Sequence, residues 1–343
     1  MKTTVLDLLT GHGPAIPVLA LATVAALVFV VTARLARHAD MIAEHTGLGR
    51  VWIGSVLLAA TTSLPELLTN VNAGLLDEPD IGAGDLLGAS LANMLILAML
   101  DIVFARRRIL HTVAIDHTLV GLLGILLAAM VGAALVTGGW GQLGHVGLES
   151  LAIGLVYLGG MGLVYRSTVI GPVPRDDVPP GERDRAPLRA ATAGFLLGAA
   201  GLVLLSPLLV LAADAVSQEA GLTATFVGTL LVGLTTSLPE LAATVSAIRL
   251  GALDLAAGNV FGSVAFNMLV FALLDISYRG GPLLQVVSRD HLLTIFVLAI
   301  CLSLALLAIL SRARRRPGPV LVESVLIVVA YGMGAWLLAR AGS

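Results

Sequence analysis

Long apolar runs separated by short polar connections set the secondary structure of this chain. Ten stretches are long enough for helices and nearly free of charge at their centres: near 15–34, 48–76, 81–104, 117–137, 146–166, 189–214, 222–249, 254–277, 290–311 and 319–340. About 20 apolar residues in helical form cross a hydrocarbon core of about 30 Å. Lipid offers the backbone no hydrogen-bond partners, so only helices and closed barrels span it, and the alternation of barrel strands is missing here. The pattern predicts an all-α integral membrane protein with ten transmembrane helices. The first run, about Pro14 to Ala33, is too long for the apolar part of a signal peptide and reads as the first span.

Composition points the same way. Of 343 residues, 57% are hydrophobic and 12% charged, about half the charge of an ordinary soluble domain. With a net charge of −2 and no basic stripe interleaved with aromatics, nucleic acid is not an expected partner. No segment points to an obligate protein partner, and the lipid bilayer is the surrounding medium. The single cysteine, Cys301, lies in an apolar run and reads as a packing residue.

Charge then orients the spans. The connections after odd-numbered runs, with their flanks, hold 16 of the 20 Lys and Arg, among them Arg34, Arg37, Arg50, Arg106–Arg108 and Arg312–Arg316. Only Lys2, Arg279, Arg289 and Arg340 fall on the other side. Basic residues accumulate on the cytoplasmic side, which predicts a multi-pass protein of the plasma (inner) membrane with both termini extracytoplasmic. The Pro- and charge-rich stretch 167–188 reads as a cytoplasmic linker between residues 1–166 and 189–343.

Those two parts repeat each other. A shift of 174 residues aligns ATTSLPELLTNV (60–71) with LTTSLPELAATV (234–245), and places Asp80 on Asp254, Asn93 on Asn267, Asp101 on Asp275 and Asp116-His117 on Asp290-His291. Between Ile53 and Asp101, 22 of 49 positions are identical, with no gap. Five helices per half is an odd number, so the second half enters the membrane in the opposite sense. Inverted repeats of this kind build secondary transporters, with sites on interrupted helices where the repeats meet.

The repeated TSLPE, at 62–66 and 236–240, lies in the middle of an apolar run. An isolated charge at that depth costs on the order of 3 kcal/mol. Every Lys or Arg lies at a span end or outside the spans, so none is at that depth to pair with Glu66 or Glu240. A bound cation is the simplest partner. Pro65 and Pro239 have no N–H, so the carbonyls of Thr61 and Thr235 lose their helical donors. Carbonyls, hydroxyls and a carboxylate within one turn suit a hard ion such as Ca2+ or Na+. Nineteen residues after each glutamate stand Asp85 and Asn259, within GDLLGASLAN (84–93) and GNVFGSVAFN (258–267). Pseudo-symmetry predicts that they face the glutamates. Asn93 and Asn267 read as interhelical hydrogen-bonding groups, Asp101 and Asp275 as interfacial, and Asp116-His117 and Asp290-His291 as helix starts.

At these motifs the chain resembles the Ca2+/cation antiporter superfamily, in its Na+/Ca2+ exchanger branch. The resemblance covers both motif regions, about 54–101 and 228–275, and through helix number and orientation nearly the whole chain. It implies antiport of Na+ for Ca2+ by alternating access, with no cofactor beyond the transported ions. The ligands it implies are Glu66, Thr62 and Ser63 from one half and Glu240, Thr236 and Ser237 from the other. Backbone oxygens near Ala59 and Gly233 join them, with Asp85 and Asn259 completing the centre. Where the family reads G-S-N, this chain has Gly88-Ala89-Ser90 and Gly262-Ser263-Val264, which keeps H+ open as the coupling ion beside Na+. Two distant alternatives have less support. Gly82-Ala83-Gly84-Asp85 matches the GxGD of intramembrane aspartyl proteases, but no second mid-span aspartate is present to share a proton. No segment resembles the carbonyl-lined filter of a cation channel.

Overall fold

The computed structural model describes residues 15–170, 187–219, 236–311 and 322–341. Its helices are α1 (Ala15–Thr46), α2 (Arg50–Thr62), α3 (Leu64–Leu75), α4 (Pro79–Val103), α5 (His117–Thr137), α6 (Leu148–Tyr165), α7 (Leu188–Glu219), α8 (Leu238–Arg249), α9 (Leu253–Ser277), α10 (His291–Ser311) and α11 (Val322–Ala341). A two-residue hairpin, β1 (Gln142–Leu143) with β2 (Val146–Gly147), turns the chain into α6. Among the described residues seven helices are long and apolar enough to cross a membrane, and an eighth span results if the bent pair α2 and α3 counts as one. At 1.5 Å per residue the 25 residues of α4 and of α9 reach about 38 Å, enough for the hydrocarbon core with some tilt.

α1 is the main departure from the apolar pattern. The run stops at Arg34, yet the helix continues to Thr46 and carries Arg37, Asp40 and Glu44 out of the apolar region. Charged residues form helix readily once they reach water, and the stop comes only at Gly47, whose φ of +68° is left-handed. Arg34 and Arg37 therefore lie on a helix and not in a connection. Arg50, at the start of α2, pairs with Asp40 at 2.6 Å and Glu44 at 3.0 Å, tying α2 to the end of α1. At the other end of the half, residues 166–170 continue α6 as a π turn, so the first residues expected in the linker are helical.

The duplication reappears in the backbone. α3, α4 and α5 become α8, α9 and α10 on adding 174 to both bounds, and the one-turn helices Ile109–Thr112 and Leu283–Val286 obey the same shift. α4 and α9 are the most enclosed of the long helices and α1 the least. α9 packs against α2, α3, α4 and α5, while α1 lies along α7.

Side-chain contacts knit the halves symmetrically. Asp254 Oδ1 accepts the Ala114 N–H at 2.6 Å and lies 3.1 Å from His117 Nε2. Its counterpart Asp80 Oδ1 accepts the Ser288 N–H at 2.7 Å and lies 3.5 Å from His291 Nε2. His117 and His291 do begin α5 and α10, and each also binds the opposite half. Asp101 and Asp275, expected at the interface, are buried. Asp101 accepts from Leu110 N–H and the Ser324 hydroxyl, Asp275 from Leu283 N–H and Gly147 N–H. The reason is that each chain folds back after α4 or α9 and covers its aspartate with a helical turn. Asn267 is an interhelical group as expected, donating to Ser90 Oγ at 3.3 Å.

Candidate cation-binding site

The site begins with a break. Pro65 and Pro239 occupy the first turns of α3 and α8, where a missing N–H costs nothing. The residues before those helices, Ser63 (φ −88°, ψ 14°) and Ser237 (φ −82°, ψ 5°), sit in the sparsely allowed bridge region. α2 and α3 meet at Ser63 with a bend of 49°. At this bend the Ser63 hydroxyl faces the other half, and the Thr62 hydroxyl faces both its own turn and the other half.

Close backbone contact brings that half within reach. Residues 53–58 of α2 form a π turn, a widened turn often found at functional sites, and it lies on α9 at two glycines. A Cβ on Gly262 would come 2.3 Å from Ser55 O, and one on Gly258 would come 3.0 Å from Ser55 N. No side chain fits between these backbones.

Hydrogen bonds then cross between the halves. The Ser63 hydroxyl donates to Glu240 Oε1 at 3.0 Å. Thr62 Oγ1 lies 3.1 Å from Asn259 Oδ1 and 3.2 Å from Ala59 O, two acceptors for one proton. Glu66, Glu240, Thr62, Ser63, Ser237 and Asn259 are all within 1% of full burial, Thr236 is buried, and Asp85 is half-buried. Glu66 Oε1 and Oε2, Glu240 Oε2 and Ser237 Oγ find no hydrogen-bond partner among the described residues. Leaving a buried acceptor unpaired costs about 1–3 kcal/mol, more when it is charged, so this concentration of oxygens is unfavourable without a positive charge among them. Among the described residues no three His, Cys, Asp or Glu gather into a cluster that could hold a metal alone. Hydroxyl and amide oxygens surround the two glutamates instead. Gly233 lies outside the described residues.

Two residues that the motif comparison passed over complete the arrangement. Asn70 donates from Nδ2 to Asp85 Oδ2 at 2.7 Å and to Glu66 O at 2.8 Å. Its counterpart Thr244 donates to Glu240 O at 2.7 Å and accepts from Asn259 Nδ2 at 3.2 Å. Each stands four residues after a glutamate, on the same helix face. That spacing, at a position where the repeats differ, was the available signal.

Known proteins match this chain in sequence and in fold. The sodium/calcium exchanger protein family matches residues 16–164 and 190–339, one segment in each half. CaxA of Alkalimonas amylolytica, named as an antiporter, is 29% identical over 251 residues, covering 69% of this chain and 72% of CaxA. The inner membrane protein YrbG of Escherichia coli is 26% identical over 312 residues, covering 89% of this chain and 90% of YrbG. The fold matches that of the sodium-calcium exchanger NCX_Mj soaked with 2.5 mM Na+ and 0.1 mM Sr2+, with a TM-score of 0.69 over 93% of this chain and 98% of the other at 18% identity. Fold and paired segments define a multi-pass membrane transporter. The chain belongs to the sodium/calcium exchanger protein family, and it is a cation antiporter, not an enzyme.

Proposed function

We propose that this chain exchanges Na+ for Ca2+ across the membrane, both ions using one site between the halves. The observation that carries the reading is the buried, cross-bonded set around Glu66 and Glu240, oxygen-only and short of donors. Hard cations of this kind take carboxylate, carbonyl and hydroxyl oxygens. Glu66, Thr62, Ser63, Glu240, Thr236, Ser237, Asp85 and Asn259, with backbone oxygens near Ala59 and Gly233, supply the ligands. Ca2+ offsets most of the carboxylate charge, α1 and α7 slide along the core to expose the site to the other side, and Na+ returns through the same oxygens. Ten spans, as two five-helix halves (1–166 and 189–343) of opposite sense around a cytoplasmic linker (167–188), place both termini outside the plasma membrane. With Cys301 buried, a cysteine placed at Ser343 should react with an impermeant thiol reagent from outside and one at Ser167 should not; the reverse pattern overturns this orientation.

H+ in place of Na+ is the second reading, favoured by one observation. Glu66, Glu240 and Asp85 together offer three negative charges, one more than Ca2+ neutralises. In reconstituted vesicles, an outward Na+ gradient should drive Ca2+ uptake. Uptake driven by a pH gradient and indifferent to Na+ would put the H+ reading first, and a response to neither gradient would overturn both.

A further inference from the structure

The two halves hold their central polar residue differently, and the difference follows a donor–acceptor rule. In the first half, Asn70 has two N–H groups, which meet Glu66 O and Asp85 Oδ2. With both acceptors on that side, the amide orientation is dictated, and Oδ1 turns to Gly82, where an added Cβ would lie 2.9 Å from it and 2.8 Å from Leu274 Cδ2. In the second half, Thr244 has one O–H, spent on Glu240 O, and its lone pairs face Asn259 Nδ2. The residue equivalent to Gly82 is Ala256. A side chain with a spare donor thus faces an acid that only accepts, and one with only lone pairs left faces an amide that donates. The bulkier carboxamide stands against the glycine, and the half with the smaller Thr carries alanine at the equivalent position.

We propose that Asn70, Gly82 and Asp85 form one exchangeable unit matched to Thr244, Ala256 and Asn259, with Asn70 as the positioning residue that aims Asp85 at the cation. The role of Asp85 in this unit rests on the exchange reading above; the packing of Asn70 on Gly82 does not. Threonine at position 70 would spend its proton on Glu66 O and turn lone pairs toward the Asp85 carboxylate, acceptor against acceptor. An amide at position 85 would restore a donor to face it, as in the second half.

The test uses the full chain in two measurements. In reconstituted vesicles, Asn70→Thr should raise the half-saturating Ca2+ concentration about tenfold, the loss of one hydrogen bond to a charged group, with a smaller change in maximal flux. Asn70→Thr/Asp85→Asn should bind Ca2+ no worse than Asp85→Asn alone. If Asn70→Thr lowers only maximal flux, or carries its full penalty onto the Asp85→Asn background, the positioning role is overturned. Thermal unfolding of the purified protein reads the packing independently of any ion. Gly82→Ala should lower the midpoint by roughly 2–6 °C in the native background and by clearly less in Asn70→Thr. Equal shifts in both backgrounds overturn the unit. Should the native protein take up no Ca2+, the exchange reading fails, and the unfolding comparison alone decides whether Asn70 and Gly82 are coupled.

Discussion

At Glu240 the opposite half delivers a hydroxyl: Ser63 donates to Oε1 at 3.0 Å. At Glu66 the equivalent hydroxyl belongs to Ser237, and neither Ser237 Oγ nor either oxygen of Glu66 has a partner among the described residues. Away from the site the halves mirror each other closely. Asp80 and Asp254 each take one backbone N–H and one imidazole from the other half, and Asp101 and Asp275 each pin a one-turn helix and the start of a final helix. Symmetry thus holds in the scaffold and lapses at the carboxylates. An exchanger built from inverted repeats works by letting the halves trade conformations, so any single state holds them in different ones. On this account the Ser63–Glu240 bond belongs to one facing state, and Ser237–Glu66 to the other.

That comparison is open to attack at the two serines first. Ser63→Ala and Ser237→Ala should each slow Ca2+ flux about tenfold, the loss of one charge-assisted hydrogen bond. Both must act although only the Ser63–Glu240 bond is seen among the described residues, because on this account a full cycle passes through both states. Loss confined to Ser63→Ala would mean that the asymmetry is permanent. A smaller effect separates the two histidines. His117 is fully buried against Asp254, while the His291–Asp80 pair is open to solvent, Asp80 being 55% exposed. His117→Ala should cost about 1–3 kcal/mol of stability by removing a fully buried imidazole and its contact with Asp254, which keeps the Ala114 N–H, and His291→Ala no more than about 1 kcal/mol. Denaturation of the purified variants checks this. Equal losses would show that burial does not distinguish the two contacts.

Much of this was legible in the residues because lipid leaves so few choices. Apolar length alone located α4, α5, α9 and α10 to within a residue or two at either end. It failed for α1, since the membrane edge ends an apolar run but only Gly47 ends the helix. The candidate site stood out because its motif occurs twice: duplication singled out Glu66, Glu240 and their Thr and Ser neighbours from a background of Leu and Ala. The same method hid Asn70 and Thr244, because a search for identity passes over positions where the repeats differ, and here the difference carries the chemistry. The burial of Asp101 and Asp275 was also illegible, because it depends on the turns Ile109–Thr112 and Leu283–Val286 folding back over helix ends.

The central claim is that both glutamates serve one shared site, and counting bound ions tests it most directly. Equilibrium binding of radioactive Ca2+ to the purified native protein should saturate at one ion per chain. Glu66→Gln and Glu240→Gln should each remove that binding, weakening it by about two orders of magnitude or more, since each takes a carboxylate from the same ion. If either variant keeps binding Ca2+ with near-native affinity, or if the native protein binds two ions and each variant one, the glutamates serve separate sites and the account is contradicted.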